Sequence, residues 1–261
     1  MEPHFSQEEL LRYSRHLMVP GIGLDGQQRL KDSSVLIVGA GGLGSPAALY
    51  LAAAGVGRIG IVDDDVVDLS NLQRQVLHST SMIGKPKVES ARERLSDLNP
   101  FVRIETYLDT FRQDNAEAIA QGYDLLLDCS DNFATRYLIN DLCALTGRPY
   151  VYGAVYRFEG QVSVFNARSG PCYRCLFPEP PPEGAAPACG EAGIFSLTPG
   201  LTGTLQAVEA LKLLLKIGEP LLGKLLLLDC LTMNFKTIHL RKRPGCPLCG
   251  ETRTITELQD Y

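Results

Sequence analysis

Short apolar runs alternate with helix-period segments through the first half of the chain. Val35-Leu36-Ile37-Val38 is wholly apolar, with three β-branched residues, and glycines follow it at once. Such a run predicts a strand buried on both faces. Residues 43–54 are rich in Ala and Leu and end at Gly55 and Gly57, which predicts a helix with its stop signal. Residues 58–62 form the next predicted strand, which runs into the acids Asp63, Asp64, Asp65 and Asp68. A helix over 86–98, with Pro86 in its first turn, is followed by strands over 102–107 and 125–127, separated by a helix around 115–121. Cys129-Ser130-Asp131-Asn132 then caps a helix over 134–145. Strands alternating with helices in this way predict an α/β fold, a doubly wound Rossmann-like and mostly parallel sheet.

The pattern changes near Pro149. Residues 150–156 and 161–165 read as paired strands turning around Glu159-Gly160, and 225–229 with 235–240 as a second pair. Between them, 201–217 predicts a helix with Gln206, Glu209, Lys212 and Lys216 on its polar face. The later strands are therefore expected to extend the sheet antiparallel. At the start of the chain, Ser6 and Glu9 form a capping box. Leu10, Leu11, Tyr13, Leu17 and Met18 follow at helical spacing until Pro20-Gly21, so this helix must dock on its own domain or on a second subunit. The Pro-rich stretch 178–191 is expected to be an exposed, mobile loop. No internal repeat is visible.

Composition narrows the class. The 261 residues are 45% hydrophobic and 21% charged, which is globular material. A net charge of -5 gives no basic surface for nucleic acid. No apolar run approaches the roughly 18 residues that span a bilayer, and the first residues lack a signal peptide's basic and apolar segments. The expectation is a cytoplasmic protein without nucleic-acid or membrane partners. Eight cysteines in that compartment read as metal ligands, catalytic thiols or buried residues before disulfides.

Three groups of residues carry candidate chemistry. Gly39, Gly41 and Gly44 have the G-x-G-x-x-G spacing that brings backbone N–H groups to a phosphate at a helix N-terminus. Asp63 follows Gly44 by 19 residues, where an acid can receive a ribose hydroxyl. Alone, this loop would suggest an NAD-linked oxidoreductase. Cys172, Cys175, Cys246 and Cys249 form two C-x-x-C pairs 70 residues apart. Four thiolates suit a closed, structural zinc site; unrelated thiols or a redox pair are the alternatives. Finally, Ser70-Asn71-Leu72-Gln73-Arg74-Gln75 precedes Lys85-Pro86-Lys87, where a lysine in a helix's first turn opposes the macrodipole. Lys87 is either a solvated surface lysine or shares an anion with the helix end. Asp131, past the strand at 125–128, is a helix N-cap, a magnesium-linked acid beside phosphates, or both. Cys129, Cys143 and Cys230 read as core thiols.

Together these stretches become recognisable. Arg12-Tyr13-Ser14-Arg15, the glycine loop, Asp63-x-Asp65, 70–75, Gly84-Lys-Pro-Lys87, 128–132, Gly160-Gln161, the four knuckle cysteines and Cys189-x-Glu-Ala-Gly193 stand in one order. The chain resembles the MoeB/ThiF/HesA adenylyltransferases, relatives of the ubiquitin-activating enzymes, from about residue 9 to 250, and its pattern lies nearest the MoeB branch. The resemblance implies a reaction. MgATP and the C-terminal Gly-Gly tail of a ubiquitin-like sulfur carrier bind, the tail carboxylate attacks the α-phosphate, and an acyl-adenylate forms as pyrophosphate leaves.

By the same resemblance, Gly39, Gly41 and Gly42 line the nucleotide loop and Asp63 holds the ribose. Asn71, Arg74 and Lys87 contact phosphates, Asp131 is the magnesium-linked acid, and Asp65, Gln75 and Asn132 complete the nucleotide set. Arg15 resembles the arginine that reaches into a partner subunit's site, which makes a homodimer the expected unit. Cys189 is linked covalently to the carrier in some relatives and dispensable in others. The implied division is one adenylation domain over 1–261, with 1–30 at the dimer interface, 31–148 binding nucleotide and 149–250 binding the carrier. The implied carrier is MoaD-like, with ThiS-like or tRNA-thiolation carriers as alternatives. A chain ending at Tyr261 without a rhodanese domain implies a separate sulfur donor protein. A scaffold that has kept the fold without catalysis is disfavoured by the joint presence of Arg15, Arg74, Lys87 and Asp131.

Overall fold

The computed structural model describes residues 5–182 and 193–261. Its sheet grows in both directions from β1 (Ser34–Val38). Val35 and Ile37 face one hydrophobic layer and Leu36 and Val38 the other, so the strand has no solvent face and reads as unbroken apolar sequence. On one side β1 pairs in parallel with β2 (Arg58–Val62), which pairs with β3 (Arg103–Tyr107). On the other it pairs with β4 (Leu125–Asp128), which pairs with β5 (Tyr150–Tyr156). Three antiparallel strands follow, β6 (Glu159–Phe165), β7 (Lys224–Asp229) and β8 (Asn234–His239). The order is β3-β2-β1-β4-β5-β6-β7-β8, the doubly wound, mostly parallel sheet with antiparallel extension that the sequence predicts.

The amino-terminal segment is two helices rather than one, α1 (Gln7–Arg12) and α2 (Ser14–Leu17), broken at Tyr13. The break buries the Tyr13 ring, whose hydroxyl accepts from Asn99 Nδ2 at 2.8 Å. Leu10, Leu11 and Met18 remain exposed. A third helix, α3 (Gly23–Asp32), has no apolar repeat to announce it and docks through Leu30 and a buried Gln27 that donates to the Ala54 carbonyl at 2.8 Å. With α4 (Gly44–Ala54) and α5 (Lys87–Leu98) it covers one face of the sheet. The opposite face carries α6 (Gln113–Ala120), α7 (Phe133–Thr146) and the short α8 (Tyr173–Leu176).

The long helix α9 (Leu197–Leu215) corrects the sequence in two ways. It starts four residues early because Pro199 fits a first turn. Its expected polar face is also buried at Gln206 and Glu209, since α9 crosses β5 and β6 and packs on α4. Gln206 lies over Gly153, where a side chain would collide with its amide, and donates to the Asp128 carbonyl at 2.7 Å. Glu209 accepts from the Leu221 N–H at 2.7 Å. The β5–β6 turn is centred on Arg157 and Phe158, with Arg157 at φ 51, ahead of the expected Glu159-Gly160. Cys129 and Cys143 are core thiols, whereas Cys230 is partly exposed. Residues 178–182 lack regular structure; the rest of the expected loop, with Cys189, lies outside the described residues.

Candidate functional site

The strand order reverses its direction of growth between β1 and β4, and ligands of open α/β sheets bind outside the carboxyl ends at such a switch point. Here the loop after β1 meets the loop after β4. Gly39 has φ +102, and a Cβ there would lie 2.6 Å from the Cys129 carbonyl oxygen, so only glycine lets the two loops touch. Gly44 opens α4 against the Gly39 carbonyl, a contact that also leaves no room for a side chain. Gly41 meets no neighbouring atom so closely, and its bare backbone faces a cavity of 260 Å³.

Most of the residues singled out in the sequence line this cavity. Gly39, Gly41 and Gly42 form one wall, with Asp63 and Asp65 after β2; Arg74, Gln75 and Lys87 approach from the next segment, and Asp131 and Asn132 from the loop after β4. Asn132 is the N-cap of α7, accepting from Thr135 N at 2.8 Å. Asp131 is therefore not the cap; its carboxylate is exposed at the cavity and takes no hydrogen bond from the described residues. Gln75 is buried on the cavity wall, and its Oε1 has no hydrogen-bond partner among the described residues.

Three residues stand elsewhere. The Asn71 carbonyl oxygen Oδ1 accepts from Asp68 N at 3.1 Å, closing a tight turn outside the cavity. Arg15 is exposed on α2, against Met18, and does not reach the cavity within its own chain. Cys189 is not described. The cavity wall also contains residues that sequence reasoning missed, among them Thr110, Phe111, Ser130, Pro199 and Arg136. Arg136 was legible only as one helical turn beyond the Asn132 cap.

Electrostatics follow from burial. Asp63 accepts from Ala40 N at 2.7 Å and from Asp65 N at 2.9 Å. Burial raises its carboxyl above the usual range, and the Lys87 charge and these two N–H groups pull it back. Lys87 Nζ pairs with Asp65 Oδ2 at 2.7 Å. Burial pushes the Cys129 thiol far up, which disfavours the thiolate at this cavity-lining cysteine. The buried Asp128 carboxylate forms an ion pair with Arg136, Oδ2 to Nε at 3.6 Å, too long for a hydrogen bond, and neither atom has a hydrogen-bond partner among the described residues. Burial likewise raises Asp128 above its usual value.

A second cavity of 410 Å³ adjoins the first and shares Asp131, Arg136 and Val155 with it. Its walls are largely aromatic, including Phe133, Tyr137, Tyr152, Tyr156, Tyr173 and Phe177. Arg136 stands over the rings of Phe133 and Tyr152, at 5.4 and 5.3 Å from their centroids. Beyond this cavity the four knuckle cysteines converge, with all their sulfurs within 4.8 Å of one another. The pairs Cys172–Cys246 and Cys175–Cys249 are 3.6 and 3.4 Å apart, against about 3.8 Å between thiolates on a tetrahedral zinc. The four residues fit zinc with no open position, so a metal there would tie the carboxyl-terminal segment to α8 without taking part in a reaction.

A glycine loop at the switch point, flanked by cations and acids, defines a nucleotide-binding α/β enzyme. The ThiF family profile matches residues 13–248, and the chain belongs to the ThiF family. It is 53% identical over 262 aligned residues to a sulfur carrier protein adenylyltransferase of Thermus thermophilus, covering 98% of this chain and 97% of the relative. It is 51% identical to the probable adenylyltransferase/sulfurtransferase MoeZ of Mycobacterium tuberculosis, again over 98% of this chain but only 65% of that protein. The crystal structure of E. coli MccB shares the fold, with a TM-score of 0.82 at 21% identity, covering all of this chain and 78% of that one. The protein is an adenylyltransferase, and the NAD-linked reading of its glycine loop falls. Among the described residues no helix is long and apolar enough to cross a membrane.

Proposed function

We propose that the protein adenylates the C-terminal Gly-Gly carboxylate of a MoaD-like, ubiquitin-like sulfur carrier with MgATP, releasing pyrophosphate and priming the carrier for a separate sulfur donor. The observation that carries this reading is the shared wall of the two cavities. A phosphate-accommodating pocket and an aromatic groove meet at Asp131 and Arg136, so a peptide tail lying in the groove presents its end to a nucleotide in the pocket.

The roles follow from position. Asp63 receives the ribose hydroxyls while the glycine loop offers its backbone to the phosphates. Arg74 and Lys87 neutralise charge that moves onto the leaving pyrophosphate. Asp131, exposed and without a hydrogen bond among the described residues, would hold magnesium, which would shield the phosphate oxygens from the approaching carboxylate. Arg136 steers that carboxylate to the junction. The tail brings its own nucleophile, so no general base is needed. The structural division into 1–30, 31–148 and 149–250 follows the same reading, with the exposed α1–α2 face carrying Arg15 into a second copy's site. ATP–pyrophosphate exchange, run against MoaD-like, ThiS-like and tRNA-thiolation carriers, tests it. Exchange with a carrier ending in Gly-Gly is expected, strongest with the MoaD-like one; no exchange with any carrier would contradict it.

A further inference from the structure

His78 lines neither cavity, yet it joins the two elements that face the phosphates. It is buried behind the glycine loop, between Ala40 and α5. Its Nε2 lies 2.9 Å from the Ala40 carbonyl oxygen and its Nδ1 2.9 Å from Ser90 Oγ. A carbonyl can only accept, so the proton sits on Nε2 and Nδ1 accepts from the serine hydroxyl. In the neutral ring this is the one tautomer that satisfies both partners. Burial, the larger influence, and the nearby Lys87 charge both act against protonation.

The contacts close a ring. Ala40 N–H donates to Asp63 Oδ2, and Asp63 Oδ1 accepts from Asp65 N. Asp65 accepts from Lys87 twice, its Oδ2 from Nζ at 2.7 Å and its carbonyl from the backbone N–H at 2.9 Å. Lys87 begins α5, and Ser90 lies one turn further along the same helix. From Ser90 the ring returns through His78 to Ala40. Every link except His78 and its serine either faces the nucleotide cavity or belongs to the backbone that shapes it.

We infer that His78 is a positioning residue for adenylation: it sets the distance between the glycine loop and Lys87. The inference rests on the reading of this cavity as the MgATP site. Without the Nε2–H bond, the Ala40 carbonyl is buried with no donor, and that cost is relieved by a shift of the loop. Such a shift moves the loop N–H groups away from the position Lys87 serves. Ser90 holds the imidazole in the tautomer that donates forward.

Three variants separate positioning from packing. His78→Gln can place an amide N–H where Nε2–H stands; His78→Asn reaches only the Nδ1 position, and His78→Leu offers no donor. All three lose the imidazole's packing, so their thermal midpoints without nucleotide should all fall. MgATP affinity by calorimetry, and exchange at saturating carrier, should instead split them. Gln is expected within about threefold of wild type, with Asn and Leu weakened about tenfold or more, the scale of one lost hydrogen bond. Equal affinities for Gln, Asn and Leu, whether all normal or all weakened in step with stability, would overturn the role of His78 while leaving the site assignment standing. A wild-type protein that fails to bind MgATP would overturn both.

Discussion

Lys87 Nζ donates to Asp65 Oδ2 at 2.7 Å, with the lysine 5% exposed and the aspartate open to solvent. A cation in the first turn of α5 stands against the helix dipole, and the aspartate compensates it. Truncation to Lys87→Met keeps the buried stem but removes the charge. Exchange should fall by about 10²–10³, the loss typical of one transition-state donor, with little change in thermal midpoint. Kinetics and a melting curve on the same preparation check this.

Asp63 gives a pH dependence with a definite sign. Burial raises its carboxyl above the ordinary 3.8, and in the proposed role ribose hydroxyls would donate to its ionised form. Ligand binding therefore releases a proton, so affinity should rise with pH through the raised Asp63 value and be flat above it. Adenosine is the suitable probe, because it carries the ribose and no phosphate to titrate. An NMR titration should show weakening on the acid side in wild type and a weak, flat profile in Asp63→Asn.

The knuckle cluster predicts a division between stability and binding. Removing zinc with a chelator, or making Cys246→Ser, should lower the thermal midpoint far more than it lowers MgATP affinity, because the cluster lies outside the nucleotide cavity. Metal analysis gives the contrary result directly: a zinc-free preparation of full stability would remove the metal from the account.

Arg15 cannot reach its own chain's cavity, and its helix lies beside exposed Leu10, Leu11 and Met18. If it serves a second copy, a mixed dimer of Arg15→Ala and Arg74→Ala contains one intact site and one carrying both lesions. Co-expressed mixtures should regain exchange activity that neither variant has alone. Purified mixed dimers without activity would rule out sharing.

The sheet and glycine loop were legible because their signals are local. An unbroken apolar run means burial on both faces, and Gly39 must be glycine where two loops touch. Several of the misreadings depended on distant partners. Gln206 and Glu209 follow helical polarity but are buried, because a Gly153 backbone and the Leu221 N–H wait for them. The polar sequence of α3 hides a helix docked through Leu30 and the buried Gln27. His78 carried no sequence signal as a site residue, since its role exists only where Ala40 and Ser90 meet it in space. Arg136, too, gains its position only when two cavities share it.

Adenylation leaves a product on the carrier that mass spectrometry reads directly. The protein is incubated with MgATP, pyrophosphatase and a carrier ending in Gly-Gly, and the carrier is analysed intact and after trapping with hydroxylamine. An adenylylated C-terminal glycine that becomes a hydroxamate on trapping is expected, with no product from a carrier lacking that glycine. A carrier that binds the protein and leaves unmodified, with ATP unspent, would contradict the proposed adenylation.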